Sequence, residues 1–166
     1  VKAKAKTIPT KDWLESLKKA ADELLKTSLR FDRDSLAENG KEAGPEPVEG
    51  QPGAYIAVLG DANAMHLGLA ASREGCRALA RGLLGMRTDQ ELSDKDAVDG
   101  VSEVMNIIAG KVKSQMSDRD HSLRLGMPIF MEQPIQMRDD MERLVADVRI
   151  GPVPCQLMVF KMKKAA

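Results

Sequence analysis

From Ser93 to Met116 the chain repeats its apolar residues at helical spacing for about six turns. No other stretch constrains the fold as strongly. At about 100° per residue, Ala97, Val101, Val104, Met105, Ile108 and Val112 share an arc of roughly 100°. A helix so long and one-sided must bury that stripe against another layer. Ser93 is placed to cap its start. The opposite side is less ordinary. Asp99, Glu103, Asn106 and Gly110 fall within about 60° of one another, in an i, i+4, i+7, i+11 row. A solvated helix face usually carries Lys/Glu pairs. Two carboxylates, one amide and a glycine read instead as a surface that something approaches closely.

The flanking segments supply the other layer. Thr10 is expected to cap a helix from Lys11 to about Thr27, with Trp13, Leu14, Leu17, Ala20, Ala21, Leu24 and Leu25 on its apolar face. Ser28 to Asp34 is a candidate short strand. Glu38 to Gly53 is rich in Gly, Pro and Glu with little to bury, and is expected to be a mobile loop. Ala54 to Gly60 and Met65 to Ala71 form a predicted hairpin around the turn residues Gly60-Asp-Ala-Asn63. Ser72 caps a helix that runs to about Leu84 and stops at Gly85. After the long helix come candidate strands at Ser122 to Glu132, Met141 to Ile150 and Val153 to Met162. Helix, hairpin, two helices and consecutive strands predict an α+β fold, an antiparallel sheet with long helices on one face. At 166 residues this is one domain, spanning residues 10–162 between a flexible basic lead (1–9) and a short tail (163–166).

Composition narrows function by exclusion. Twenty-five basic residues balance 25 acidic ones, so charge argues for neither nucleic acid nor an acidic membrane. One Trp, one Tyr and three Phe leave little for base stacking. Cys76 and Cys155 match no metal or redox spacing, and two lone thiols fit a reducing cytosol. His66 and His121 have no ligand-spaced partner, so no metal is expected. No run approaches a membrane span.

The polar row carries a further signal. Asp99-x-x-x-Glu103-x-x-Asn106, followed about twenty residues later by Pro128, resembles the active-site motif of the CheC/CheX/FliY chemotaxis phosphatases. Ser-Glu-Val-Met-Asn-Ile-Ile-Ala-Gly-Lys, 102–111, is similar to that family's central helix, and residues 54–86 resemble the hairpin and helix before it. The resemblance covers about residues 10–162. It implies a phosphatase acting on the aspartyl-phosphate of a CheY-like response regulator, which brings its own Mg²⁺; no cofactor belongs to this chain. It implies that Asn106 orients the attacking water and that Glu103 pairs with the regulator's active-site Lys. Asp99 and Gly110 would extend the partner-binding surface. Members with two sites carry the motif on two helices. Here the first helix has Glu15-Ser-Leu-Lys18 and Glu23-Leu-Leu-Lys26, with no Asn three after either Glu. A single site, as in the CheX branch, is therefore expected, and that branch implies a homodimer. The competing reading is a non-catalytic regulator-binding adaptor or flagellar-switch module of the same fold, whose expected mark is loss of Glu103 or Asn106. Lys111 is expected to be solvated, Pro128 to shape the chain, and Gly110 to serve either partner approach or close helix packing.

Overall fold

The computed structural model describes residues 5–31 and 50–163. Among these, helix α1 (Thr10–Thr27) precedes the hairpin β1 (Gly53–Leu59) and β2 (Ala64–Ala70). Helices α2 (Arg73–Leu84) and α3 (Asp94–Met116) follow, then β3 (Arg124–Leu125), β4 (Ile129–Met131), β5 (Met141–Ile150) and β6 (Val153–Met162). The strands form one six-stranded sheet in the order β3-β1-β2-β6-β5, with β4 also on β1. Every pairing is antiparallel. This is the expected α+β architecture.

Alternation along the strands separates two faces. Ala54, Ile56, Val58, Leu67, Leu69, Leu157 and Val159 join Trp13, Leu17, Leu24, Leu79 and Val101, Val104, Met105, Ile108 and Val112 of α3 in the main core, while Ala97 packs with Ala80 and Leu92. The other face carries Tyr55, Ala70, Met158 and Phe160, and Ile135 and Met137 pack on them. The segment between β4 and β5 thus passes over this second face, from one edge of the sheet to the other.

Local chemistry explains most boundaries. Ser72 Oγ accepts from Gly75 N at 2.9 Å, and Gly85 ends α2 in the left-handed region at φ 65°. Ser93 Oγ accepts from Asp96 N at 3.1 Å.

Elsewhere the structure departs from expectation. Thr10 does not cap α1; it is the first helical residue, and its buried hydroxyl has no hydrogen-bond partner among the described residues. Pro9 precedes it, and the Pro9 carbonyl accepts Asp12 N at 3.0 Å. The basic lead is anchored where it is described. Ile8 is buried in the core, and its N–H donates to Asn63 Oδ1 at 2.8 Å. Ser28 to Phe31 form no strand: Leu29 turns into the core and Arg30 N donates to Gly82 O at 2.9 Å. Residues 32–34 of that candidate strand lie outside the described residues, as do residues 38–49 of the Gly/Pro/Glu-rich loop; Gly53 itself opens β1. The single strand expected over Ser122 to Glu132 is two short ones. Val58 pairs with Leu125 and Tyr55 with Ile129, so one extra residue sits opposite β1 between them. Pro128, which cannot donate to a ladder, lies in this bulge.

Candidate functional site

The long helix is held rigidly before it presents anything. All six stripe residues named from the periodicity are buried, and Gly100, Ala109 and Met116 join them. At its start Asp94 and Asp96 complement the helix dipole. Arg77 of α2 donates to Leu92 O at 2.8 Å and pairs with the Asp94 carboxylate. Gly100 lets α2 and α3 touch, since a Cβ there would lie 2.5 Å from Ala80 Cβ. Beyond its C-terminal end, buried Asp120 accepts from Asn63 Nδ2 at 2.7 Å, from Ser122 N at 2.9 Å and from the Ser122 hydroxyl. Burial alone would push the Asp120 carboxyl up; the hydrogen bonds from Ser122 and Asn63 outweigh it and hold the group below its ordinary range. Asn63 thereby ties the hairpin turn to both the lead and the exit of α3.

On this scaffold Asp99, Glu103, Asn106 and Gly110 all lie on the helix side away from the core. Asp99 and Glu103 are exposed, and Asn106 and Gly110 are half-buried. Asn106 Nδ2 lies 3.5 Å from Glu103 Oε2, a long contact one turn apart. Asn106 Oδ1 has no hydrogen-bond partner among the described residues. Asp99 is engaged within the helix: Lys95 Nζ lies 2.6 Å from Asp99 Oδ2, and that hydrogen bond pushes the Lys95 ammonium above its ordinary value. A Cβ at Gly110 would meet nothing within 4 Å, so this glycine serves no packing contact among the described residues. The packing glycine is Gly100. Its signal in the sequence was a second small residue, Ala80, on the neighbouring helix.

Other reactive side chains stand apart. Burial pushes the Cys76 thiol up to about 11 and the Cys155 thiol to about 12, so neither is a ready nucleophile. His66 stacks on Phe160, ring centroids 4.9 Å apart. No cluster of His, Cys, Asp and Glu fit for a metal ion occurs among the described residues. In α1, Glu15 pairs with Lys18 at 3.2 Å and Asp22 with Lys26 at 2.9 Å, the acid–lysine pairs of an ordinary exposed helix face. No helix among the described residues is long and apolar enough to cross a membrane.

What the row can do chemically is limited and specific. It holds no hydroxyl, thiol or imidazole. Among the described residues it presents a carboxamide whose oxygen has no partner, a carboxylate beside it, and open space at Gly110. Such a surface can orient a water and engage a cation on another molecule.

None of the curated proteins matches this chain. Solved structures do. CheX from Vibrio vulnificus superposes with a TM-score of 0.65 at 13% identity, over 93% of this chain and all of that one. A CheC-like superfamily protein from Shewanella sp. PV-4 gives 0.64 at 17% identity, over 90% of this chain and 97% of the other. The CheX–CheY–BeF₃–Mg²⁺ complex from Borrelia burgdorferi gives 0.61 at 18% identity, over 92% and 99%. At these identities the likeness concerns the fold. The family model for chemotaxis phosphatase CheX matches residues 52–147, more than half the chain and all of α3. With its α+β fold and a single polar row on the central helix, the chain belongs to the CheX family of chemotaxis phosphatases.

Proposed function

We propose that this protein hydrolyses the aspartyl-phosphate of a CheY-like response regulator, with Asn106 and Glu103 as its working residues. The observation that carries the reading is the state of Asn106. It sits mid-helix on an element whose opposite stripe is wholly buried, and its Oδ1 is unpartnered among the described residues. A side chain that must enter another protein's site has to project from such a rigid support. In the docked complex, Asn106 Oδ1 accepts from a water and lines up its oxygen with the phosphorus. Nδ2 donates toward the phosphoryl oxygens. The water oxygen bonds to phosphorus as the bond to the regulator's aspartate oxygen breaks. The aspartate leaves as a carboxylate, and the water's protons end on the phosphate and solvent. The regulator's Mg²⁺ supplies neutralisation of phosphoryl charge.

Glu103 pairs with the regulator's active-site Lys in this scheme. Its 3.5 Å contact with Asn106 is weak enough to be surrendered on docking, which frees Nδ2 for the phosphoryl group. Asp99 and its partner Lys95 form the rim, and Gly110 admits the partner's backbone. The same reading includes a cytoplasmic homodimer. β5 is ten residues long, and no strand covers its outer edge among the described residues. A bare edge of that length invites pairing with a second copy.

The test is a panel of phosphorylated response regulators scored for phosphate release with and without this protein. Acceleration of at least one regulator, abolished by changing Asn106, is expected. Tight binding of phosphorylated regulators without any acceleration would replace the enzyme with an adaptor.

A further inference from the structure

The sheet face turned away from the helices holds a cavity of about 350 Å³. Tyr55, Val145, Met158 and Phe160 line its floor, and one glycine beneath makes room for the Tyr55 ring. Across β1, β2, β6 and β5 Tyr55 pairs with Gly68, Gly68 with Met158, and Met158 with Val145. Because Gly68 has no side chain, the Tyr55 ring lies down over it, and a Cβ there would be 2.6 Å from the ring carbons. The ring then meets Phe160 edge-on, centroids 6.2 Å apart. In the next row Phe160 pairs with Arg143. Burial pushes the Tyr55 phenol up, while the Arg143 charge acts on it in the opposite sense, as expected for a guanidinium near the ring's polar end.

The roof is the segment that joins β4 to β5. Ile135 and Met137 press on the cluster from above, yet residues 133–137 make no backbone hydrogen bond to the sheet among the described residues. The result is a covered slot, walled mainly by methionine, aromatic and aliphatic groups with Gln51 and Gln156 among them, at the lower end of the roughly 300–1,000 Å³ range of small-ligand pockets. Among the described residues Arg143 is the one charged residue that lines it. It has no carboxylate partner among the described residues. Its neighbour Glu142 is taken by Lys161 at 3.6 Å, and Asp147 by Gln156 Nε2 at 3.2 Å. An apolar slot with an unpaired guanidinium and a phenol hydroxyl at its edge is complementary to one kind of guest.

We infer that this slot binds a small organic carboxylate with an apolar body, its carboxylate on Arg143 and the Tyr55 hydroxyl and its tail on Met158, Phe160 and Met137. The site lies on the sheet face opposite α3 and stands independently of the phosphatase reading. A bound guest would also hold the 132–140 segment against the sheet.

Octanoate is the probe, with octanamide as its neutral counterpart. Titration into methyl-labelled protein should give saturable NMR shifts at Met137 and Met158, none at the core residue Met105, and a rise in melting temperature. Octanamide should bind about tenfold more weakly, since it lacks the charge that meets Arg143. Arg143 is exposed, so Arg143→Met should fold normally and lose about tenfold in octanoate affinity. Arg143→Lys should recover most of it, which separates charge from incidental disturbance of β5. Equal binding of acid and amide would overturn the inference, as would octanoate affinity unchanged in Arg143→Met. Shifts confined to the exposed Met127 and Met162 would mean surface adsorption and would overturn it equally.

Discussion

Replacing Asn106 with Ala should separate activity from stability. The side chain makes one hydrogen bond, a 3.5 Å contact to Glu103 on an exposed face. Such i, i+3 pairs contribute about 0.2–0.5 kcal/mol. Ala is in turn about 0.6 kcal/mol better than Asn within a helix. The two nearly cancel, leaving a stability change within about 0.5 kcal/mol and a melting shift of about 2 °C or less for a domain this size. Activity should respond very differently. Losing one group that positions a reactant or stabilises the transition state costs on the order of a hundredfold, about 2.7 kcal/mol in the barrier. The assay is phosphate release from a phosphorylated regulator with Mg²⁺, corrected for the regulator's own dephosphorylation, beside a thermal melt of each variant. Asn106→Asp should be equally inactive, because it keeps the shape but exchanges the donor for a charge that repels the phosphoryl group. A folded Asn106→Ala protein with near wild-type turnover would refute the assignment. A fall in melting temperature beyond about 5 °C would show that the residue supports the helix in a way the geometry does not reveal.

Glu103→Lys should weaken regulator binding more than Glu103→Gln, and added salt should weaken wild-type binding more than that of Glu103→Gln; equal salt responses would remove the proposed Lys pairing. The two helix glycines should behave oppositely. Gly110→Ala meets open space and should raise stability by about 0.8–1 kcal/mol while lowering regulator affinity, whereas Gly100→Ala should lower stability by about 1–2 kcal/mol through its clash with Ala80. Asp120 has a lowered folded pKa, so its contribution is present above the unfolded carboxylate value of about 4 and is lost as pH falls through the folded value. Asp120→Asn should therefore flatten the acid side of the stability profile in pH-dependent denaturant melts. Sedimentation should find a symmetric dimer that binds two regulators; a strict monomer would remove the dimer and leave the chemistry standing.

Where a signal is periodic and local, it was legible in the chain. β5 and β6 begin and end at the bounds of the two candidate strands, and Ser72, Gly85 and Ser93 act as the punctuation that their chemistry suggests. Tertiary contacts overruled such signals elsewhere. Thr10 is a good cap by type, but Pro9 already fixes the entry and its carbonyl takes the first helical N–H groups. Leu29 and Phe31 suggest a strand, yet they spend their apolar surface on the core and on the glycines at 82 and 151. The site divides along the same line. One helical period put Asp99, Glu103, Asn106 and Gly110 on a common face, because a helix carries its own geometry. The same period cannot say what lies opposite any face. Gly100 and Gly110 are ten residues apart and so about 80° apart around the helix. Both are plausible sites of close approach by residue type alone. Only the fold shows that Ala80 of α2 fills the space at Gly100 and that nothing among the described residues fills it at Gly110.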